Sequence, residues 1–344
     1  MRSRTLALLA LVTLVAALFA WALQREPDPA APGQPLLPPL ATRLNEVTAI
    51  VLEPAGGDPF RLERTGDGWR TPAKHGHRVD AAQVRRLLVR LADARVIETK
   101  TSNPALHDRL GVEEIDGRPG SGVRLRLEGA AAGAPLLIGQ RETRGLRGTF
   151  VRRSDEATAL LVDQDLQPER EALDWLERDV LDIPPEEIAS LQIARPDGET
   201  LDIDRDEFGI FRITRLPEGY RPSGPTAADS MGRTLSALRL DDVRPLAGWA
   251  PEDEPTVATF RLRDGLVIEA RSWESLSPAG GATFWTAFSA RHAPAGDDTP
   301  AADAVVERAQ ALNERLGPWL YRLPAWKHEQ LTRRGADLLV PLED

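Results

Sequence analysis

The sequence predicts an α+β chain: an N-terminal transmembrane helix followed by two duplicated α+β units, each a mostly antiparallel sheet with one or two helices. Three observations carry this. Residues Thr5 to Leu23 run for nineteen positions without a charge. Beyond Asn45, short alternating or β-branched apolar stretches recur between Gly-rich turns, with apolar positions at helical spacing among them. Segments after position 187 then repeat the texture of segments after position 46, in the same order.

At about 1.5 Å per helical residue, the apolar run matches a hydrocarbon core of about 30 Å. Arg2 and Arg4 precede it, which places the N-terminus in the cytoplasm and everything after Leu23 across the membrane. A cleaved signal peptide is the rival reading, with Ala20-Trp21-Ala22 as its cleavage site. The run outlasts the usual signal region of about 7–15 apolar residues and carries Trp21 near its outer end, which favours an uncleaved single-pass anchor. Cleavage itself stays open. A core helix fits worst, because no amphipathic stripe is visible. Expected segments are therefore an anchor at 1–23, a Pro-rich linker at 24–44, a first repeat at 45–183 and a second at 184–344. Pro27, Pro29, Pro32, Pro35, Pro38 and Pro39 make the linker a semi-rigid spacer of about 3.1 Å per residue.

In the first repeat, Val47 to Leu52 reads as a strand, Phe60 to Arg64 alternates, and Gly66-Asp67-Gly68 turns tightly into Trp69. Asp80 caps a helix whose apolar face is Val84, Leu87, Leu88 and Leu91. Strands follow at Val123 to Leu127, Pro135 to Gly139, Gly148 to Arg152 and Ala159 to Val162, with helical character from Pro168 to Val180. The second repeat answers in order. Glu187 to Ile193 matches Glu46 to Leu52, a helix from Thr226 with Met231, Leu235 and Leu238 matches the one from Asp80, and Val243 matches Val96. Val257 to Leu262 answers the strand at Val123, and Ala282-Thr283-Phe284 answers Gly148-Thr149-Phe150. Trp319-Leu320-Tyr321-Arg322 matches Trp175-Leu176-Glu177-Arg178 most closely, and Pro324 parallels Pro184. The tail from Ala325, with Leu331, Leu338, Leu339 and Val340, reads as a docking helix with an apolar end.

Net charge is −10 with a pI near 5.2, which argues against a nucleic-acid binder. The chain has no cysteine, so disulfides, thiolate metal sites and thiol catalysis are excluded. His75 and His77, beside Lys74, form the most tempting metal pair, since residues two apart share one face of a strand. No third ligand is near in sequence and the stretch reads as a loop, so they are taken as solvated. His107, His292 and His328 are isolated. Asp179, Asp182, Glu186 and Glu187 surround Pro184-Pro185 and are read as capping and solvated groups over acid–base partners. Pro251 to Glu254 and Gly296-Asp297-Asp298 lack the ligand spacing of a calcium loop. No phosphate-binding Gly-rich loop with Lys-Ser or Lys-Thr and no Gly-x-Ser-x-Gly elbow occurs, and Ser223-Gly224 before a helix is too general to name an anion site. Catalytic, cofactor and metal residues are thus expected to be none. Trp249, Trp273, Trp285, Trp319 and Trp326 crowd the second half and are read as core aromatics with a secondary reading as partner or sugar contacts.

The Gly68-Trp69 turn, the helix from Asp80, the Leu136-Leu137-Ile138-Gly139 strand and the Trp175-Leu176-Glu177-Arg178 element together resemble a bacterial family, the domain-of-unknown-function family 4340. The resemblance covers most of the chain after the linker, best from Val47 to Ile193. Its motifs are structural punctuation, and it carries no catalytic residue over. It implies a membrane-anchored protein associated with the gliding-motility type of ABC transporter, beside the ATPase, the permease and an auxiliary extracytoplasmic subunit. The expected function is accordingly a non-catalytic, membrane-anchored periplasmic accessory subunit acting through protein contacts. Its partners would be the inner membrane and the permease and auxiliary subunits, with no nucleic acid, no cofactor and an unassigned small-molecule ligand. The alternative is an envelope-bound glycan- or peptide-binding protein, hydrolytic or not, that uses the Trp-rich second half.

Overall fold

In the computed structural model, which describes residues 31–129, 133–143, 145–251, 253–276, 282–293 and 302–342, the chain divides into two units. Of the described residues, the first takes those within 31–73 and 78–175, the second those within 74–77 and 176–342.

Strands β1 (Val47–Pro54), β2 (Phe60–Thr65), β3 (Gly68–Thr71), β4 (His77–Arg78), β5 (Val96–Thr99), β6 (Val123–Gly129), β7 (Leu136–Glu142), β8 (Gly148–Arg153) and β9 (Ala159–Val162) form one sheet. Its order is β4-β3-β2-β1-β6-β7-β8-β9-β5. Alternation sets the register: Ile50 and Leu52 of β1 face Leu62 and Phe60 of β2 on one side and Leu127 and Leu125 of β6 on the other. All six are buried, and a one-residue slip would expose the whole set. The helix Ala81–Asp93 covers this face with Val84, Leu87, Leu88 and Leu91. Asp80 starts it, its carboxylate accepting from the backbone N–H of Ala82 at 2.8 Å and Gln83 at 3.1 Å. We expect Asp80→Ala to lower stability by about 1 kcal/mol in urea unfolding. An unchanged midpoint would mean that water serves those N–H groups as well.

The opposite face of β7 to β9 is also covered. Leu137, Phe150, Ala159 and Leu161 pack with Val112 from the preceding loop. Gly139 makes this possible, because a Cβ there would collide with the Leu110 carbonyl; the glycine in Leu136-Leu137-Ile138-Gly139 serves a close backbone approach. Arg170 staples the loop end of the sheet, donating to the carbonyls of Ala55 at 2.7 Å, Gly120 at 3.1 Å, Ser121 at 2.7 Å and Gly122 at 3.2 Å. The expected linker is not all spacer. Leu36 and Leu40, four residues apart, are buried in the first core, and Pro35 bridges to Arg95.

In the second unit, β10 (Asp179–Leu181) pairs with β15 (Leu238–Arg239), and β14 (Tyr220–Pro222) with β21 (Leu339–Pro341). The main sheet joins β11 (Ile188–Ala194), β12 (Thr200–Arg205), β13 (Phe211–Ile213), β16 (Asp242–Pro245), β17 (Thr256–Leu262), β18 (Leu266–Leu276), β19 (Ala282–His292) and β20 (Trp319–Arg322). Its order is β13-β12-β11-β17-β18-β19-β20-β16. Helices Ala302–Leu316 and Ala325–Leu331 pack on its core face, where Phe284 stacks on His328 with ring centroids 4.1 Å apart. Read strand for strand, this order repeats β3-β2-β1-β6-β7-β8-β9-β5 of the first sheet. Val243 in β16 and Val96 in β5 hold the same place in the two sheets.

Several expectations are corrected. The α+β assignment gives way to mostly antiparallel β-sheet, because segments expected as helix are not. The segment after Thr226 makes only the 3-10 turn Asp229–Arg233. Gly232 lies there against the Phe211 ring, leaving no room for a side chain and little reason to propagate a helix. Pro168 to Val180 forms the 3-10 turn Ala172–Trp175 and then β10. The tail helix stops at Leu331, and Leu339–Pro341 becomes a strand on β14. Trp319 stands in β20, the counterpart of β9, whereas Trp175 lies in a 3-10 turn; the closest sequence match is therefore not a structural one. The cause is the helix Ala302–Leu316, which is inserted between β19 and β20 and has no equivalent between β8 and β9. The transmembrane helix in that assignment is not supported either: no described helix is long and apolar enough to cross a membrane, and Thr5–Leu23 itself lies outside the described residues.

Candidate functional site

The histidines singled out in the sequence take structural places. His75 turns the chain at a φ of 57°, followed by Gly76 at 78°. His77 is buried and meets the edge of the Trp319 ring at 4.9 Å, while Lys74 pairs with Asp242 at 2.8 Å. His107 is buried, its Nε2 2.9 Å from the Ala157 carbonyl. Among the described residues no group of three His, Asp or Glu side chains is arranged to hold a metal ion.

The acidic residues around Pro184-Pro185 are separated by their own partners. Asp179 pairs with Arg239 at 3.2 Å and Glu187 with Arg308 at 2.9 Å. Asp182 accepts from the N–H of Ala237 at 2.8 Å, at a residue whose φ is 46°. Ser223 precedes no α-helix; its N–H donates to the Leu338 carbonyl. The run Gly296-Asp297-Asp298 lies outside the described residues, as does Glu252.

The tryptophans divide. Trp175 and Trp69 are core residues of the first unit, and Trp326 is 57% exposed. Trp249, Trp273 and Trp285 gather with Leu246 and Leu320 in one cluster. Trp273 and Trp285 are directly opposite on β18 and β19, and Leu320 is opposite Arg244 on β20 and β16. The Arg244 guanidinium carbon lies 3.7 Å from the Trp249 ring centroid and 4.1 Å from that of Trp285, close enough for strong cation–π attraction. Burial pushes its pKa below the ordinary arginine value. Its Nε and Nη2, and the indole nitrogens of Trp249 and Trp273, are buried with no hydrogen-bond partner among the described residues. A buried donor left unpaired costs about 1–3 kcal/mol, so four in one cluster need an explanation. The crowding of Trp was visible in the sequence; Arg244 was not, because nothing near it in the chain marks it.

A cleft of about 590 Å³ opens between the β14–β21 pair and β12. Its wall includes Leu201, Leu216, Pro217, Tyr220 and Leu339, with Glu199 and Arg215 at its edge. Leu216 and Tyr220 are 42% and 44% exposed. The described residues also line smaller clefts, among them one of about 330 Å³ beside Phe211 and Arg221 and one of about 410 Å³ beside Trp69 and Val89.

No curated protein and no solved structure matches the chain. A family model described as "Domain of unknown function (DUF4340)" matches residues 69–262, from Trp69 in β3 to Leu262 at the end of β17. That span holds the close approach at Gly139, the Arg170 staple and Arg244 within its cluster, and it is more than half of the chain, which is therefore a member of the DUF4340 family.

Proposed function

We propose that this chain is a non-catalytic accessory subunit of an ABC-type transport system, working through protein contacts on the periplasmic side of the bacterial inner membrane. The observation that carries the contact role is the apolar cleft of the second unit. Leu216 and Tyr220 stand half exposed beside a concave wall that Glu199, held by Arg334, and Arg215, held by Asp202, also line. Exposed apolar surface rimmed by polar groups is the ordinary mark of an interaction site. The non-catalytic part of the reading is supported by the engagement of Asp179, Asp182 and Glu187 in separate structural contacts. The location and the transporter partner rest on the charge-free run Thr5–Leu23 behind Arg2 and Arg4 and on the family resemblance.

Crosslinking from the cleft tests this. With a photo-crosslinking amino acid in place of Tyr220, irradiated intact membranes should yield adducts with a permease or auxiliary transporter subunit, and the same group in place of Val89, in the first unit, should not. Adducts at neither position, or equal adducts at both, would defeat the reading.

A further inference from the structure

Arg244 is held against indole rings, and the edge of its guanidinium is buried without a partner among the described residues. Trp249 and Trp285 both bring their rings within cation–π reach of the guanidinium, yet Nε and Nη2, which form one side-on fork, meet no acceptor among the described residues. The indole N–H groups of Trp249 and Trp273, in the same cluster, are also unmet. All four groups can only donate hydrogen bonds. Packing alone does not call for them, since apolar side chains would fill the same volume without leaving donors unpaired.

We propose that this cluster is the docking point for a carboxylate presented by a partner polypeptide, an inference that rests on the contact-module reading above. The side-on fork of arginine matches the two oxygens of a carboxylate. One guanidinium balances one negative charge, which suits a carboxylate better than a phosphate dianion. The flanking indoles keep water away and so strengthen the pair. Trp and Arg are the residues that most often anchor protein–protein contacts. Trp249 sits at the end of a turn closed by its N–H to the Leu246 carbonyl at 3.0 Å, next to Gly248 at a φ of 80°. Trp249 is half-buried and stands outside the strands, which puts the cluster near the surface of the unit.

Trp fluorescence of the full chain reads the cluster directly. The probe is a capped octapeptide of Gly and Ser with one central Glu, compared with its Gln counterpart and with succinate at equal ionic strength. The Glu peptide should give a saturable change, with the Gln peptide and succinate each at least ~10-fold weaker. Arg244→Lys keeps the charge and loses the fork, and should bind the Glu peptide at least ~10-fold more weakly. Trp249→Phe keeps the stacking and loses one donor, and should bind about 3-fold more weakly; it carries the test if Arg244→Lys does not fold. Equal binding of the Glu and Gln peptides, equal binding of succinate, or wild-type binding by a folded variant overturns the proposal. No transporter enters this titration, so it stands or fails separately from the crosslinking.

Discussion

Replacing Lys327 by Met should lower the stability of the second unit by about 3–5 kcal/mol. Lys327 is 2% exposed. Its Nζ donates to the carbonyls of Arg233 at 2.9 Å, Thr234 at 2.7 Å and Ser236 at 2.7 Å. Those carbonyls terminate the 3-10 turn Asp229–Arg233, and the last carbonyls of a helical turn have no partner within it. An ammonium has three donors and here meets three acceptors, so charge and geometry are both satisfied. Burial pushes its pKa down to about 8, with Asp182 opposing the shift, so the group is still protonated at pH 7. Met fills the volume but leaves the carbonyls of Thr234 and Ser236 unpaired, while that of Arg233 keeps the N–H of Ser236 at 3.2 Å. Urea unfolding is the measurement, with Phe208→Ala, at a position 79% exposed in the same unit, as the control that should move little. A loss for Lys327→Met of less than about 1 kcal/mol would show that water reaches these carbonyls.

The stability of the second unit should also fall by about 3 kcal/mol between pH 7 and pH 4 through His328 alone. Burial lowers its pKa from 6.5 to about 4. The ring lies against Phe284, and its Nδ1 has no partner among the described residues. Between those two values the unfolded chain binds a proton that the native state refuses. Stability therefore rises with pH across that window: the contribution is complete above about pH 6.5 and is lost as pH falls towards 4. His328→Phe keeps the stack and removes the titration, so its curve should be flatter than the wild-type curve over that range while the two agree near pH 7. Parallel curves would mean that the ring is solvated when protonated and that its burial is not maintained.

Both residues stand on the helix Ala325–Leu331, whose existence the apolar tail suggested, but neither was singled out for what it does. The reason is general. The helix Ala81–Asp93 was legible because its information is local: Asp80 caps it and Val84, Leu87, Leu88 and Leu91 repeat at its period. The strands were legible for the same reason, through alternation. The helix Ala302–Leu316 escaped because its buried positions include Val305 and Ala309 among alanines, a stripe too weak in hydrophobicity to stand out. The segment after Thr226 was overcalled because Met231, Leu235 and Leu238 fit a helical period. Gly232 against Phe211 is a contact between distant segments that no local pattern contains.

The candidate site divides the same way. A crowd of tryptophans could be read from the chain, as could the absence of thiol chemistry, since a missing residue type needs no structure to interpret. The repeated strand textures likewise come from the sequence, because period-two burial is written residue by residue. Which tryptophans meet, and that Arg244 lies between two of them with its fork unmet, was decided by the pairing of β16, β18, β19 and β20. So was the capture of three carbonyls by Lys327 some ninety residues away in the chain. Local patterns specify which face of an element turns inward. The partner found there depends on sheet order, and donors such as Arg244 and Lys327 acquire their roles only from what that order brings within reach.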